Sequence, residues 1–177
     1  MRRLVYLVIF SLLSVGVVAL VNSVAVRAND LTPEQTQQVK ANCVSIKNSL
    51  NQLHASDALL RVNRGQVYES MGTKLMDTFN NRLSINSLDN KAMTTVTSNY
   101  RTALTNFRNS YIAYEQKLSA AIRIDCTAQP NTFHTTVLEA RKLRQNVHED
   151  VLKLHRHIDD YRSAVGDFLL NYERLTQ

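Results

Sequence analysis

The last third of the chain carries its clearest periodicity. Phe133, Val137, Ala140, Arg144, Val147, Val151, Leu154, Ile158, Tyr161, Val165, Phe168, Tyr172 and Leu175 follow in alternating steps of four and three. Only Arg144 interrupts the apolar sequence. This heptad spacing predicts one long helix over about 132–175, with Asn131 as its N-cap and a coiled-coil-like seam. A second stripe, Val96, Tyr100, Leu104, Phe107, Tyr111, Tyr114, Leu118 and Ile122, predicts a helix over about 89–124. Pro130 forbids its continuation.

The first helix is expected over about 33–83. Thr32 suits an N-cap, Pro33 suits N1, and Gln35 at N3 completes a capping box. Its apolar positions run Val39, Cys43, Ile46, Leu50 and Leu53, then Asp57, Leu60, Arg64, Val67, Met71, Leu75, Phe79 and Leu83. Gly65 and Gly72 lie within it, each costing about 1 kcal/mol of helix stability against alanine. They mark a kink or the close approach of another helix, and leave continuity there open. Ser84, Asn86, Ser87, Asp89 and Asn90 supply the turn to the second helix. The expected fold is all-α, an elongated antiparallel three-helix bundle.

An apolar N-terminus precedes this pattern. Arg2 and Arg3 are followed by an uncharged run, Leu4 to Val21, and then by small-residue sites ending at Ala25 and Ala28. Residues 1–28 are therefore expected to be a cleaved signal peptide or an uncleaved single-pass anchor touching the membrane through 4–26. Both place 29–177 outside the cytoplasm as one extracytoplasmic domain.

The formal charge of +6 is partly due to this segment. Without Arg2, Arg3 and Arg27 the chain keeps 18 Lys+Arg against 15 Asp+Glu, spread along its length. A dispersed excess of this size gives no focused patch for phosphate, so no nucleic-acid partner is expected.

Cys43 and Cys126, the two cysteines, add a geometric constraint. Two antiparallel helices are level at positions equidistant from their turn. The midpoint of Cys43 and Cys126 falls inside Leu83–Asn90. A disulfide between them is expected, closing a loop of about 84 residues worth about 4.5 kcal/mol in the chain-entropy model. The same counting sets Asp57 level with Ile112, and Ile112 level with Arg144. A buried or half-buried ion pair between Asp57 and Arg144 is expected, the alternative being rotation of both into water.

Little else in the sequence carries chemistry. There is no Gly-rich phosphate loop and no nucleophile elbow. His148 and His155 share a helix face, but the rise between them is about 10 Å, so one helix does not bring both to one metal. No enzymatic activity and no cofactor are expected. The leading expectation is an exported or membrane-anchored helical scaffold or protein-interaction module of the cell envelope. It would have a protein partner, and a homodimer would cover any stripe left bare by three helices. The alternatives are an extracytoplasmic ligand-sensing or chaperone-like module, with a groove opening between helices near the glycines, and a metal binder using the histidines of the third helix.

Overall fold

The computed structural model describes residues 30–176, with side chains through 174. The expected signal or anchor, 1–28, and its membrane contact through 4–26 lie outside the described residues. Among those described, no helix is long and apolar enough to cross a membrane. The described residues are helical apart from short turns: α1, Pro33–Ala41; α2, Cys43–Ser70; a π-helical segment, Met71–Met76; α3, Asp77–Ile85; α4, Lys91–Arg123; and α5, Pro130–Thr176.

The three-helix expectation is corrected by this order. From 43 to 174 the domain is built of four α-helices, α2 to α5, because the run expected as one helix over 33–83 is divided. Asn42, with φ −101° and ψ 11°, separates α1 from α2, and its side-chain amide donates to the Gln38 carbonyl at 2.9 Å. That side-chain bond competes with regular helix geometry. The π-helical segment then separates α2 from α3. At the start of α1, the Thr32–Gln35 capping box is formed in both directions.

The buried face departs from the expected stripe, first within α2 and then through the π segment. Val67 and Leu75, on the expected stripe, are 48% and 57% exposed, whereas Tyr68 and Met76 are 5% and 1% exposed. From Asp57 the buried face advances eleven residues to Tyr68, near three full α-turns rather than the shorter heptad count. It then steps by fours through Gly72, Met76 and Asn80. Each such step overshoots a 3.6-residue turn by about 40°. The wider i→i+5 closure of the π segment takes up this overshoot and keeps the face directed at α4 and α5.

Side chains from α4 and α5 support the irregular backbone. The Tyr100 hydroxyl donates to the Tyr68 carbonyl at 2.7 Å. The Tyr161 hydroxyl lies 2.9 Å from Asn80 Oδ1 and 3.2 Å from the Met76 carbonyl, its one proton shared between them. Asn80 in turn donates to Thr97 Oγ1 at 2.8 Å, and Thr97 to the Met93 carbonyl at 2.8 Å. Buried polar groups are costly unless paired, and here they are paired across α2, the π segment, α3, α4 and α5.

Between α3 and α4 the chain reverses through a Schellman motif. The Leu88 amide donates to the Leu83 carbonyl and the Ser87 amide to Ser84. Ser87 takes the left-handed position at φ 57°. Leu88 packs against the cluster that holds Leu83, the apolar contact usual in this motif. At the other turn the Asp125 carboxylate accepts from the Thr127 and Ala128 amides at 2.8 and 3.2 Å. Residue pairs such as Asp57–Tyr114 and Asn80–Thr97 run in opposite senses along the chain, so α2–α3 and α4 are antiparallel; Ser110–Asp150 and Lys117–Glu139 show the same for α4 and α5.

The main core cluster gathers Tyr68, Met76, Tyr100, Phe107, Leu154 and Tyr161, among others. Burial of each large apolar side chain contributes about 1.5–3 kcal/mol. Gly72 sits where the Tyr100 ring crosses: a Cβ there would lie 3.3 Å from Tyr100 Cε1. Gly65 faces open space, with nothing within 4 Å of a Cβ. Asn131, expected as the N-cap of the last helix, is the second residue of α5, and its Oδ1 accepts from the Leu31 amide at 3.2 Å.

Candidate functional site

The sequence directs attention first to Cys43, Cys126, Asp57 and Arg144. Cys43 and Cys126 are bonded, with their Cα atoms 5.6 Å apart. They are buried together with Phe133, flanked by Val39, Ile46 and Val137. This apolar setting encloses the sulfur bridge and leaves no free thiol among the described residues.

Asp57 and Arg144 meet across α2 and α5, with Nε–Oδ2 at 2.7 Å. Ile112, counted as their level partner on α4, is half exposed; the α4 contribution comes instead from Tyr114, two residues on. Burial pushes the Asp57 carboxyl up, but the hydrogen bonds from Arg144 and Tyr114 and the guanidinium charge outweigh it and hold it below its usual range. Burial, followed by the bond to Asp57, pushes the Tyr114 hydroxyl well above its usual value. Every group here is engaged with another, so the cluster is a fastening rather than a reactive centre.

A second buried acid lies on α5. Asp150 accepts from Ser110 at 2.6 Å and from Lys153 at 2.9 Å. The sequence held a signal for it: Leu143, Val147, Asp150 and Leu154 also step by four and three, on the flank of the main stripe.

His54, Glu115 and Ser119 form a constellation that sequence spacing does not show. His54 Nε2 lies 3.2 Å from Glu115 Oε1 and 3.5 Å from Ser119 Oγ, and Ser119 donates to Glu115 at 3.0 Å. In a nucleophile relay the hydroxyl and the carboxylate engage opposite ring nitrogens. Here both address Nε2, so the ring does not pass a proton from one to the other. The Ser119 bond, then that from His54, holds the Glu115 carboxyl below its usual range.

The remaining histidines are dispersed. His155 Nε2 lies 3.0 Å from the Tyr68 hydroxyl, and His157 Nδ1 lies 3.5 Å from Asp160. His134 Nδ1 is buried without a hydrogen-bond partner, and His148 is exposed. Among the described residues no group of three or more His, Cys, Asp or Glu could hold a metal ion, which corrects the metal-binding alternative.

The groove expected near the glycines is present beside Gly72 only, with a volume of about 560 Å³ between the π segment and α3 on one side and α5 on the other; its lining was not foreseen from the sequence. Met76 and Tyr161 form its floor, and Met71, Phe79, Ile158 and Val165 its half-buried walls. Lys74, Arg82 and Arg162 stand exposed at its edge. Burial pushes the Tyr161 hydroxyl up to about 12, so it is neutral and occupied with Asn80 and Met76. The groove follows from the shifted buried face: Leu75 turns outward while Met71 and Phe79 are left half covered. A neighbouring hollow beside Asn63, Gln66 and Leu75 is lined by residues of one helical run alone. The groove against α5 has two facing walls.

Two observations correct the expected envelope roles. No described helix crosses a membrane, and no described residues gather a metal set. The expectation of a membrane-anchored, extracytoplasmic scaffold or sensing or chaperone-like module with a protein partner or homodimer is corrected to what the described residues show, an all-α domain with no helix long and apolar enough to cross a membrane; the leader on which that expectation rests, 1–28, lies outside them. Compared with known proteins, the chain matches no family model, no curated protein sequence and no solved structure.

Proposed function

We propose that the described domain acts without catalysis, by holding a small apolar molecule in the groove between the π segment, α3 and α5. The groove itself carries this reading. Its volume of about 560 Å³ lies within the range of small-molecule sites, roughly 300–1,000 Å³. Its lining is mostly apolar, and two of its residues are methionines, whose unbranched, polarizable side chains adapt to varied apolar shapes. It is built around a π-helical segment, a backbone irregularity common at functional sites. The polar clusters elsewhere are saturated by their own partners, and the shared Nε2 of His54 supports a non-enzymatic reading.

The test uses the full chain and a neutral apolar probe. Nile red fluorescence should rise on binding, and 1-dodecanol should displace it with a stoichiometry of one. Val165→Trp fills one wall and should abolish displacement while helical circular dichroism is retained. Thr78→Trp, at the exposed edge, repeats the test without touching the buried floor. Absence of saturable displacement, or binding by both filled variants as strong as that of the unaltered chain, would overturn the proposal.

A further inference from the structure

We infer that the groove's ligand is a single-chain fatty acid, its carboxylate held by Lys74, Arg82 and Arg162. This inference rests on the groove being a binding site and adds the charge and class of what enters it. The three cations come from three different elements, the π segment, α3 and α5, yet they border the same apolar groove. Among the described residues none of the three has an ion-pair partner. By contrast, Arg101 pairs with Asp77, Arg108 with Glu69, Lys117 with Glu139 and Arg144 with Asp57. Asp77 is the one acid within the span of the π segment and α3, and it is taken by Arg101 on the side facing α4.

An apolar channel edged by three cations that make no ion pair among the described residues, with Asp159 one turn from Arg162 as the near acid on α5, is complementary to a molecule with an apolar body and a negative end. Two of the three cations are arginines, whose planar forks match a carboxylate through paired hydrogen bonds. One groove of this volume suits one chain. The acyl chain lies over Met76, Phe79 and Ile158, and the carboxylate remains at the wet edge, where its desolvation cost is small.

The experiment compares dodecanoic acid, 1-dodecanol and dodecylamine as displacers of Nile red from the full chain. The acid should bind about tenfold or more tighter than the alcohol, as expected for charged hydrogen bonds. The amine should bind more weakly than both. Added salt should weaken the acid and leave the alcohol unchanged. Arg82→Gln with Arg162→Gln, two exposed sites, should bring the acid down to the level of the alcohol while alcohol binding persists. Equal affinity for acid and alcohol would overturn this inference and leave the apolar-binding proposal standing. Failure of all three would remove both. Binding to phosphatidylglycerol vesicles without binding of free dodecanoic acid would overturn it in favour of a lipid surface.

Discussion

Arg144 holds Asp57 with both arms of its fork, Nε to Oδ2 at 2.7 Å and Nη2 to Oδ1 at 3.0 Å, while Tyr114 donates to the same Oδ2 at 2.7 Å. The two ends of this contact differ in exposure: the Asp57 side chain is 11% exposed and that of Arg144 51%. Arg144→Ala would strand a buried carboxylate with one remaining donor. Because the guanidinium is half in water, the loss should be about 2 kcal/mol, below that of a fully buried pair. Urea unfolding of the single and double variants with Asp57→Asn would measure the coupling.

The same carboxyl sets an acid dependence. Its folded-state value is depressed, so its stabilising contribution is present above the ordinary carboxylate range and is lost as pH falls through the lower folded value. Stability should fall below about pH 4. In Asp57→Asn that fall should be shallower, as followed by thermal melts across the acid range.

At the alkaline end the sign reverses. Tyr161 is raised to about 12, and Tyr100 is raised as well, chiefly by burial. Their neutral forms are favoured in the folded state, so this stability is complete below about pH 10 and declines above it. Tyr161→Phe should remove part of the alkaline decline. It should also cost about 1–3 kcal/mol at neutral pH by leaving Asn80 Oδ1 and the Met76 carbonyl without its proton. Phenolate absorbance followed beside circular dichroism would separate the two effects.

Two glycines and one serine should respond in opposite directions. Gly65→Ala meets nothing and gains helix propensity, so it should stabilise by about 0.5–1 kcal/mol. Gly72→Ala gains the same propensity but presses on a buried ring pinned by its own hydrogen bond. A net loss of about 1 kcal/mol should result. Ser87→Gly relieves a left-handed residue and should stabilise by about 0.5–1 kcal/mol. Melting temperatures of the three variants provide the check.

Much of the helix packing is legible in the residue spacing, for reasons visible in α4 and α5. Tyr100, Leu104, Phe107, Tyr111, Tyr114 and Leu118 are all buried, because a regular helix converts steps of four and three directly into one face. The rule needs every turn to be alike. In α2 eleven regular residues carry the face from Asp57 to Tyr68, which a heptad count replaces with Val67; beyond Ser70 the turns are no longer alike, so counting places Leu75 inward and misses Met76. A π turn is decided by distant partners, the Tyr100 and Tyr161 hydroxyls, which local periodicity does not contain. The glycines hinted at a groove, but its lining was hidden for the same reason, since it forms where the shifted face departs from the count. Asp57 and Arg144 were visible because each is the odd residue on an otherwise apolar stripe. Asp150 and the His54 cluster lie on flanks that a single-stripe reading passes over.

The sulfur bridge also decides how the chain would respond to being cut. It makes the stretch from Cys43 to Cys126 a covalent ring, with α5 attached as a tail outside it. A protease nick at the exposed reversal around Asn86 opens that ring without releasing a fragment. The two pieces part only when a reductant follows, whereas a cut within α5 sheds its distal piece under any redox condition.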